Sequence, residues 1–251
     1  MRNWIFRPLK RTIVLMACFA AGAFAGTDSL TLINAGAGYG MGGVYTSPYG
    51  ISINGAAATS LICDDFLTNI SIGQTWSAIE TSLADLQAHT NPAGTPKFDP
   101  GNPATAAEIR NYATAAVLAQ QLMSLNNLAS EAAGELSYAI WGIFDTGLLT
   151  SNPVSGEGHL DATQLAMARQ YLTDARGVVD SVTNDLGVID LNQLPNLTIY
   201  TPSAPNGLAS SQEFLRVSMA EPSYPAVLAV DLLAVIGLMV IFRRRVTGLF
   251  N

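Results

Sequence analysis

The sequence predicts an α+β fold in which strands from both ends of the body form one sheet or barrel and a three-helix segment is inserted between them. Three observations carry this. Residues 28–55 are rich in Gly, Ser, Thr, Val, Ile and Tyr, with glycine punctuation at Gly36, Gly38, Gly40, Gly42 and Gly43. Apolar residues recur at helical spacing across an insert of about residues 104–178. Past it, Leu197-Thr198-Ile199-Tyr200 and Glu213-Phe214-Leu215-Arg216-Val217-Ser218 flank Pro205-Asn206-Gly207 and read as a hairpin.

The elements follow in order. Gly50-Ile51-Ser52-Ile53-Asn54-Gly55 is a short alternating strand, and residues 60–76 supply one or two more, around Leu61-Ile62-Cys63 and Ile70-Ser71-Ile72, with a turn at Asn69 or Gly73. Pro92, Gly94, Pro96, Pro100 and Pro103 mark a loop. Thr105-Ala106-Ala107-Glu108 has the capping-box pattern and opens a helix to about Leu125 with Ile109, Tyr112, Ala113, Ala116, Val117 and Gln120 on one face. Ser130 caps a second helix to about Phe144, and Gly147 suits its end. Asp161-Ala162-Thr163-Gln164 caps a third, with Leu165, Ala168, Tyr171, Leu172 and Ala175 on one stripe. Short connections imply that these helices pack antiparallel.

Both ends of the chain read as targeting segments. Arg2, Arg7, Lys10 and Arg11 precede an apolar run from Thr12 that ends Ala23-Phe24-Ala25, the pattern of a secretory signal peptide over residues 1–25. The run is roughly 14 residues, below the ~20 of a spanning helix. At the other end Glu221-Pro222-Ser223, an apolar run from Ala226 to Phe242, and Arg243-Arg244-Arg245 follow in succession. The apolar run partitions into lipid and the arginines hold to the cytoplasmic side. Asp231 lies inside a run of only roughly 17 residues, which suits a transient anchor better than a permanent span. The tail resembles the PEP-CTERM signal that exosortases process in Gram-negative bacteria exporting exopolysaccharide, with Ala220 where that family's motif has its first proline. The resemblance implies a sorting tail over residues 221–245 and a cytoplasmic end at residues 246–251. A permanent single-span anchor is the other reading.

Between these ends, residues 26–220 form the exported body. Its basic residues are Lys97, Arg110, Arg169, Arg176 and Arg216, against seventeen acidic ones. So acidic a surface repels nucleic acid and anionic lipid and admits neutral glycans, cations or basic partners. Cys63 is the body's single cysteine, so an internal disulfide is impossible and the thiol is a candidate for reaction, intermolecular pairing or simple burial.

Motifs for catalysis are thin. Gly38-x-Gly40-x-x-Gly43 fits a dinucleotide fingerprint by letters, but a strand-and-turn sequence, Val44 to Gly50, follows it instead of a helix. His89 and His159, the only histidines, give little material for a zinc site or a triad. Asp64 and Asp65 point to opposite faces of a strand; one of them with Asp99 or Asp145 could ligate Ca²⁺, although the bland reading is a turn or cap. Glu131 and Glu135 share one helix face, where solvated charge is the ordinary explanation. Trp76 and Trp141 are candidates for stacking on sugars, with core packing as the plainer alternative.

Two further resemblances concern the body. Cys63-Asp64-Asp65-Phe66, Ser71 to Trp76, Ala119-Gln120-Gln121-Leu122, Ser137 to Trp141, Phe144-Asp145 and Gln212-Glu213-Phe214-Leu215 resemble a group of exported PEP-CTERM proteins of uncharacterised activity. More distantly, Cys63-Asp64 and Ala139-Ile140-Trp141 are similar to the two halves of surface thioester domains, which join a strand cysteine to a glutamine. Here Ser137 holds the glutamine position and Leu136 the threonine, so that bond cannot form by the family's chemistry unless Gln120, Gln121 or Gln164 reaches Cys63.

The expectation is therefore a non-enzymatic envelope or matrix protein without a cofactor or metal. Its partners are the Sec machinery and signal peptidase, an exosortase-type enzyme, exopolysaccharide, and the membrane through the C-terminal segment. A covalent adhesin using Cys63 and a glycan-binding or glycan-acting protein, such as a glycan hydrolase, are the alternatives.

Overall fold

The computed structural model describes residues 27–36, 38–46, 48–89, 96–98, 103–150, 157–203 and 211–218. The signal-peptide and sorting-tail readings, with Asp99 and the Pro205-Asn206-Gly207 turn, lie outside them. Six strands, β1 (Thr27–Asn34), β4 (Tyr49–Ile53), β5 (Thr59–Cys63), β6 (Thr75–Ser82), β7 (Asn196–Pro202) and β8 (Phe214–Ser218), close into an antiparallel barrel in the order β1-β4-β5-β8-β7-β6. The last two strands come from beyond the helical insert, as the sequence predicts, and β8 sits between β5 and β7.

Alternation along the strands separates two packing faces. Leu30, Leu32, Tyr49, Ile51, Leu61, Cys63, Trp76, Ala78, Tyr200 and Phe214 fill the barrel. Ile62, Leu197, Ile199 and Leu215 point outward, into the core shared with the helices. Phe214 anchors the interior: its ring meets Tyr49 edge-on at 5.8 Å and stacks on Trp76 at 5.8 Å.

Among the described residues five α-helices lie between β6 and β7: α1 (Leu83–Ala88), ahead of the insert, and α2 (Ala106–Met123), α3 (Glu131–Phe144), α4 (Thr146–Thr150) and α5 (Ala162–Ser181). The three long ones are those the caps announce. Thr105 and Asp161 form capping boxes with Glu108 and Gln164, and the Ser130 hydroxyl accepts the Ala133 N–H. Ala113, Ala115, Ala116 and Ala119 of α2 and Ala133 and Ala139 of α3 are fully buried, so small side chains give the helices their close approach.

The structure adds elements and corrects one. β6 runs on to Ser82, where a capping box with Asp85 turns it directly into α1. Its inward residues include Ala78, a weak strand former, which hides the pattern. Ile70-Ser71-Ile72 is irregular rather than a strand, and Gly73 at φ 85° makes the turn into β6. The fingerprint glycines build a hairpin instead of a phosphate loop: β2 (Gly40–Met41) and β3 (Val44–Tyr45) are joined by Gly42 and Gly43 at φ 57° and 80°, the two-residue turn that suits strand twist. Tyr138 of α3 donates its hydroxyl to the Met41 carbonyl at 3.1 Å and holds that hairpin down.

The barrel has two distinct poles. Thr27 pairs with Ile79, and Ser218 with Asn196, so both outer strand ends lie where β6 passes into α1. The opposite pole carries the ends of β1 and β5 and the start of β8. Truncating Phe214→Ala should cost about 3–5 kcal/mol, because a fully buried aromatic shared by two rings leaves a cavity that the closed barrel cannot collapse into. Chemical denaturation of the two proteins measures it.

Candidate functional site

Cys63 ends β5 with its side chain inside the barrel and no exposed surface. Its thiol donates to the Asp65 carbonyl at 3.2 Å, and the indole N–H of Trp141 donates to the Cys63 carbonyl at 2.9 Å. The Cys63 strand and the Ala139-Ile140-Trp141 helix, which the sequence resemblance sets together as two halves, thus meet. Burial, and then the neighbouring Asp64, push the thiol well above its ordinary range, so it is held as S–H and is a poor nucleophile. Ser137 is buried and donates to the Ala133 carbonyl at 2.8 Å. Of the candidate glutamines, Gln164 serves its helix cap and bonds Glu131 at 3.1 Å. The glutamine brought toward Cys63 is Gln212, which was not foreseen. Its amide donates to the same Asp65 carbonyl at 3.2 Å, and its Oε1 has no hydrogen-bond partner.

Beside this junction lies a buried acidic row. The ladder pairs Ile62 with Leu215 and Cys63 with Phe214, so the next rung sets Asp64 against Glu213; β7 adds Thr201 on the other flank. Glu213 is fully buried and well supplied with donors: the Tyr112 hydroxyl at 2.7 Å, the Thr201 hydroxyl at 2.6 Å and the Lys97 backbone N–H at 2.7 Å. Asp64 is equally buried, and no donor of the kind that serves Glu213 reaches its oxygens; its carboxyl lies against that of Glu213. Burial first, and the facing Glu213 second, push the Asp64 carboxyl well above the usual range. Burial raises Glu213 too, and its three donors work against that rise, so the geometry favours the charge on Glu213 and the proton on Asp64. Asp65 takes a different path. Its carboxylate pairs with Lys97, and its Oδ1 accepts the Thr68 N–H at 3.2 Å, a turn as the plainer sequence reading has it.

Outside the junction a cleft of about 630 Å³ opens at the pole away from the strand ends. Leu32, Tyr45, Tyr49, Phe66, Ile72 and Trp141 give it apolar surface; Asp65, Asn69, Ser71, Glu157 and Gln212 give it polar groups, none of them basic. Tyr45 and Ile72 are exposed at 59% and 68%. Trp76 stacks on Phe214 inside the barrel, and Trp141 packs on Phe66 at 5.3 Å, so both indoles are core residues, and only Trp141 borders the cleft. His89 caps α1 and His159 is exposed near the hairpin turn, so the two stand apart in the fold. Among the described residues no group of three or more His, Cys, Asp or Glu could hold a metal ion, and no helix is long and apolar enough to cross a membrane.

No protein-family model and no curated protein matches the chain. Among solved structures it is similar to the N-terminal domain of the Streptococcus pyogenes pilus tip adhesin Cpa, at 13% identity and a TM-score of 0.42 over 77% of this chain and 94% of that one. It is also similar to the N-terminal thioester domain of a surface protein from Clostridium perfringens, at 12% identity and a TM-score of 0.37 over 77% of this chain and 100% of that one.

The protonated Asp64 has a measurable consequence. Its folded value lies above its unfolded one, so its contribution is complete below the ordinary carboxylate range and is lost as pH rises toward the folded value. Stability should therefore fall as pH rises above the ordinary carboxylate range, by up to about 1.4 kcal/mol per pH unit for this one proton. Asp64→Asn should flatten that slope in denaturation curves taken across pH. Cys63 should resist alkylation in the native protein and react once it is unfolded, with thiol labelling as the readout.

Proposed function

We propose that the chain is an exported, non-enzymatic, adhesin-like binding protein of the cell envelope or extracellular matrix, and that the cleft at the far pole of the barrel is its binding surface. The observation that carries this reading is the cleft itself, with exposed Tyr45 and Ile72 at its rim, Asn69, Ser71 and Gln212 as adaptable hydrogen-bonding groups, and no basic side chain in its lining. Such a surface favours neutral glycans or uncharged polymer segments and disfavours nucleic acid and acidic polysaccharide. The polarity of the fold supports the same reading. Both ends of the barrel leave at one pole, so a molecule held by its tail turns its cleft away from the point of attachment.

Sorting completes the proposal. The signal-peptide pattern of residues 1–25 points to export by the Sec machinery. Glu221-Pro222-Ser223, the apolar run and Arg243-Arg244-Arg245 point to capture in the membrane and processing by an exosortase-type enzyme, with delivery into an exopolysaccharide matrix. A covalent adhesin is the second reading. Cys63 and Gln212 share one carbonyl acceptor, so attack of the sulfur on the Gln212 amide carbon, with loss of ammonia, would link them directly. The buried, protonated thiol weighs against it.

Binding of the exported body to immobilised neutral polysaccharides is the direct test. Tyr45→Ala should weaken it about tenfold or more while leaving the melting temperature unchanged, since the ring is exposed. Binding that Tyr45→Ala leaves intact would place the surface elsewhere. Protein recovered from its native envelope should begin near Gly26 and end near Glu221-Pro222-Ser223; a C-terminus running on to Asn251 would overturn the processing step.

A further inference from the structure

The body has one cysteine, and yet its barrel and the start of its helical insert converge on a point where a covalent bond could form without sulfur. Lys97 is held at both ends. Its backbone N–H is fixed on Glu213 at 2.7 Å, and the next residue, Phe98, stacks on Phe144 at 4.7 Å and donates its own N–H to the Tyr112 hydroxyl at 3.4 Å. At the tip, Nζ touches Oδ2 of Asp65 and lies 2.6 Å from the Thr68 hydroxyl. Asp65 is almost fully buried, with 1% of its side chain exposed against 23% for Lys97. Its other oxygen is fixed by the Thr68 N–H. Nucleophile and electrophile are thus immobilised in contact, which is the arrangement that gives intramolecular reactions their large effective concentrations.

We propose that Lys97 and Asp65 condense into an intramolecular amide that ties the end of β5 to the segment ahead of α2. The balance is simple. The ammonium passes one proton across the existing contact to Oδ2, leaving a neutral amine and a carboxylic acid. Nζ then attacks the Asp65 side-chain carbon, and the negative charge that develops on Oδ1 is met by the Thr68 N–H. A second proton leaves Nζ by way of the Thr68 hydroxyl and reaches Oδ2, which departs as water. One C–N bond forms, one C–O bond breaks, and no oxidant, metal or cofactor is consumed. The product also replaces a largely enclosed ion pair by a neutral amide. Lys97 and Asp65 stand 32 residues apart, so the bond would close a loop of disulfide-like span in a chain that cannot form a disulfide within its body.

The test is the mass of the denatured full-length body with its processed ends accounted for, followed by chymotryptic mapping. The expected result is a protein lighter by one water, resistant to trypsin after Lys97, that yields a branched peptide containing both Lys97 and Asp65. Lys97→Arg and Asp65→Ala should each restore the full sequence mass and lower the melting temperature by several degrees. A wild-type protein at full mass, with Lys97 free in a linear peptide, overturns the proposal whether or not the variants fold. A loss of one ammonia, restored by methylamine and abolished by Gln212→Ala, would assign the missing mass to Cys63 and overturn it as well. Neither result depends on whether the cleft binds a polysaccharide.

Discussion

Pairing between β8 and β5 is the contact on which the rest of the molecule depends. Two rungs, Ile62 with Leu215 and Cys63 with Phe214, join a strand from the first quarter of the chain to one from the end of the body, and with them the barrel is closed. Phe214 then fills the interior between Tyr49 and Trp76, while Leu215 and Ile62 face the helices. The same register fixes the next rung. Asp64 must face Glu213, and Gln212 must arrive beside Asp65, because strand pairing leaves no freedom to shift one without turning every neighbour to the wrong face.

That rung explains why so acidic a pair is tolerated at the centre of the fold. Two ionised carboxylates could not share it. One of them, Glu213, is supplied with donors from three separate parts of the chain: Tyr112 on α2, Thr201 on β7 and the backbone of Lys97. The other keeps its proton. Glu213 is thereby the point at which barrel, insert and linking segment are mutually oriented, and a hydrophobic residue in its place would satisfy none of the three donors.

Local chemistry made much of this legible in the sequence. The three long helices declared themselves through Thr105 with Glu108, Ser130, and Asp161 with Gln164, since a cap is a contact between residues a few positions apart. The outer strands and the hairpin followed from alternation. What stayed hidden was non-local. Nothing near Asp64 announces Glu213, nothing near Asp65 announces Lys97, and the resemblance that includes Gln212 gives no sign that its amide meets the Asp65 carbonyl. The tryptophans illustrate the ambiguity of an aromatic read alone. Trp76 and Trp141 suit a sugar platform by residue type, and only the barrel and the ring of Phe66 show that their faces are already covered. The cleft, too, is assembled from β1, the β2–β3 hairpin, Tyr49 of β4, the loop after β5, Trp141 of α3, Glu157 and Gln212 ahead of β8, which no window of sequence contains.

The placement of the outer strand ends, Thr27 and Ser218, and the cleft at opposite poles also decides how the domain would bear a load. A pull between the C-terminal end of β8 and something gripped at the far pole runs along the strands, not across them. Interstrand hydrogen bonds lie perpendicular to that direction, so the rungs that β8 makes with β5 and β7 would be sheared together instead of unzipped one after another. A small barrel loaded this way yields only when a whole ladder fails at once.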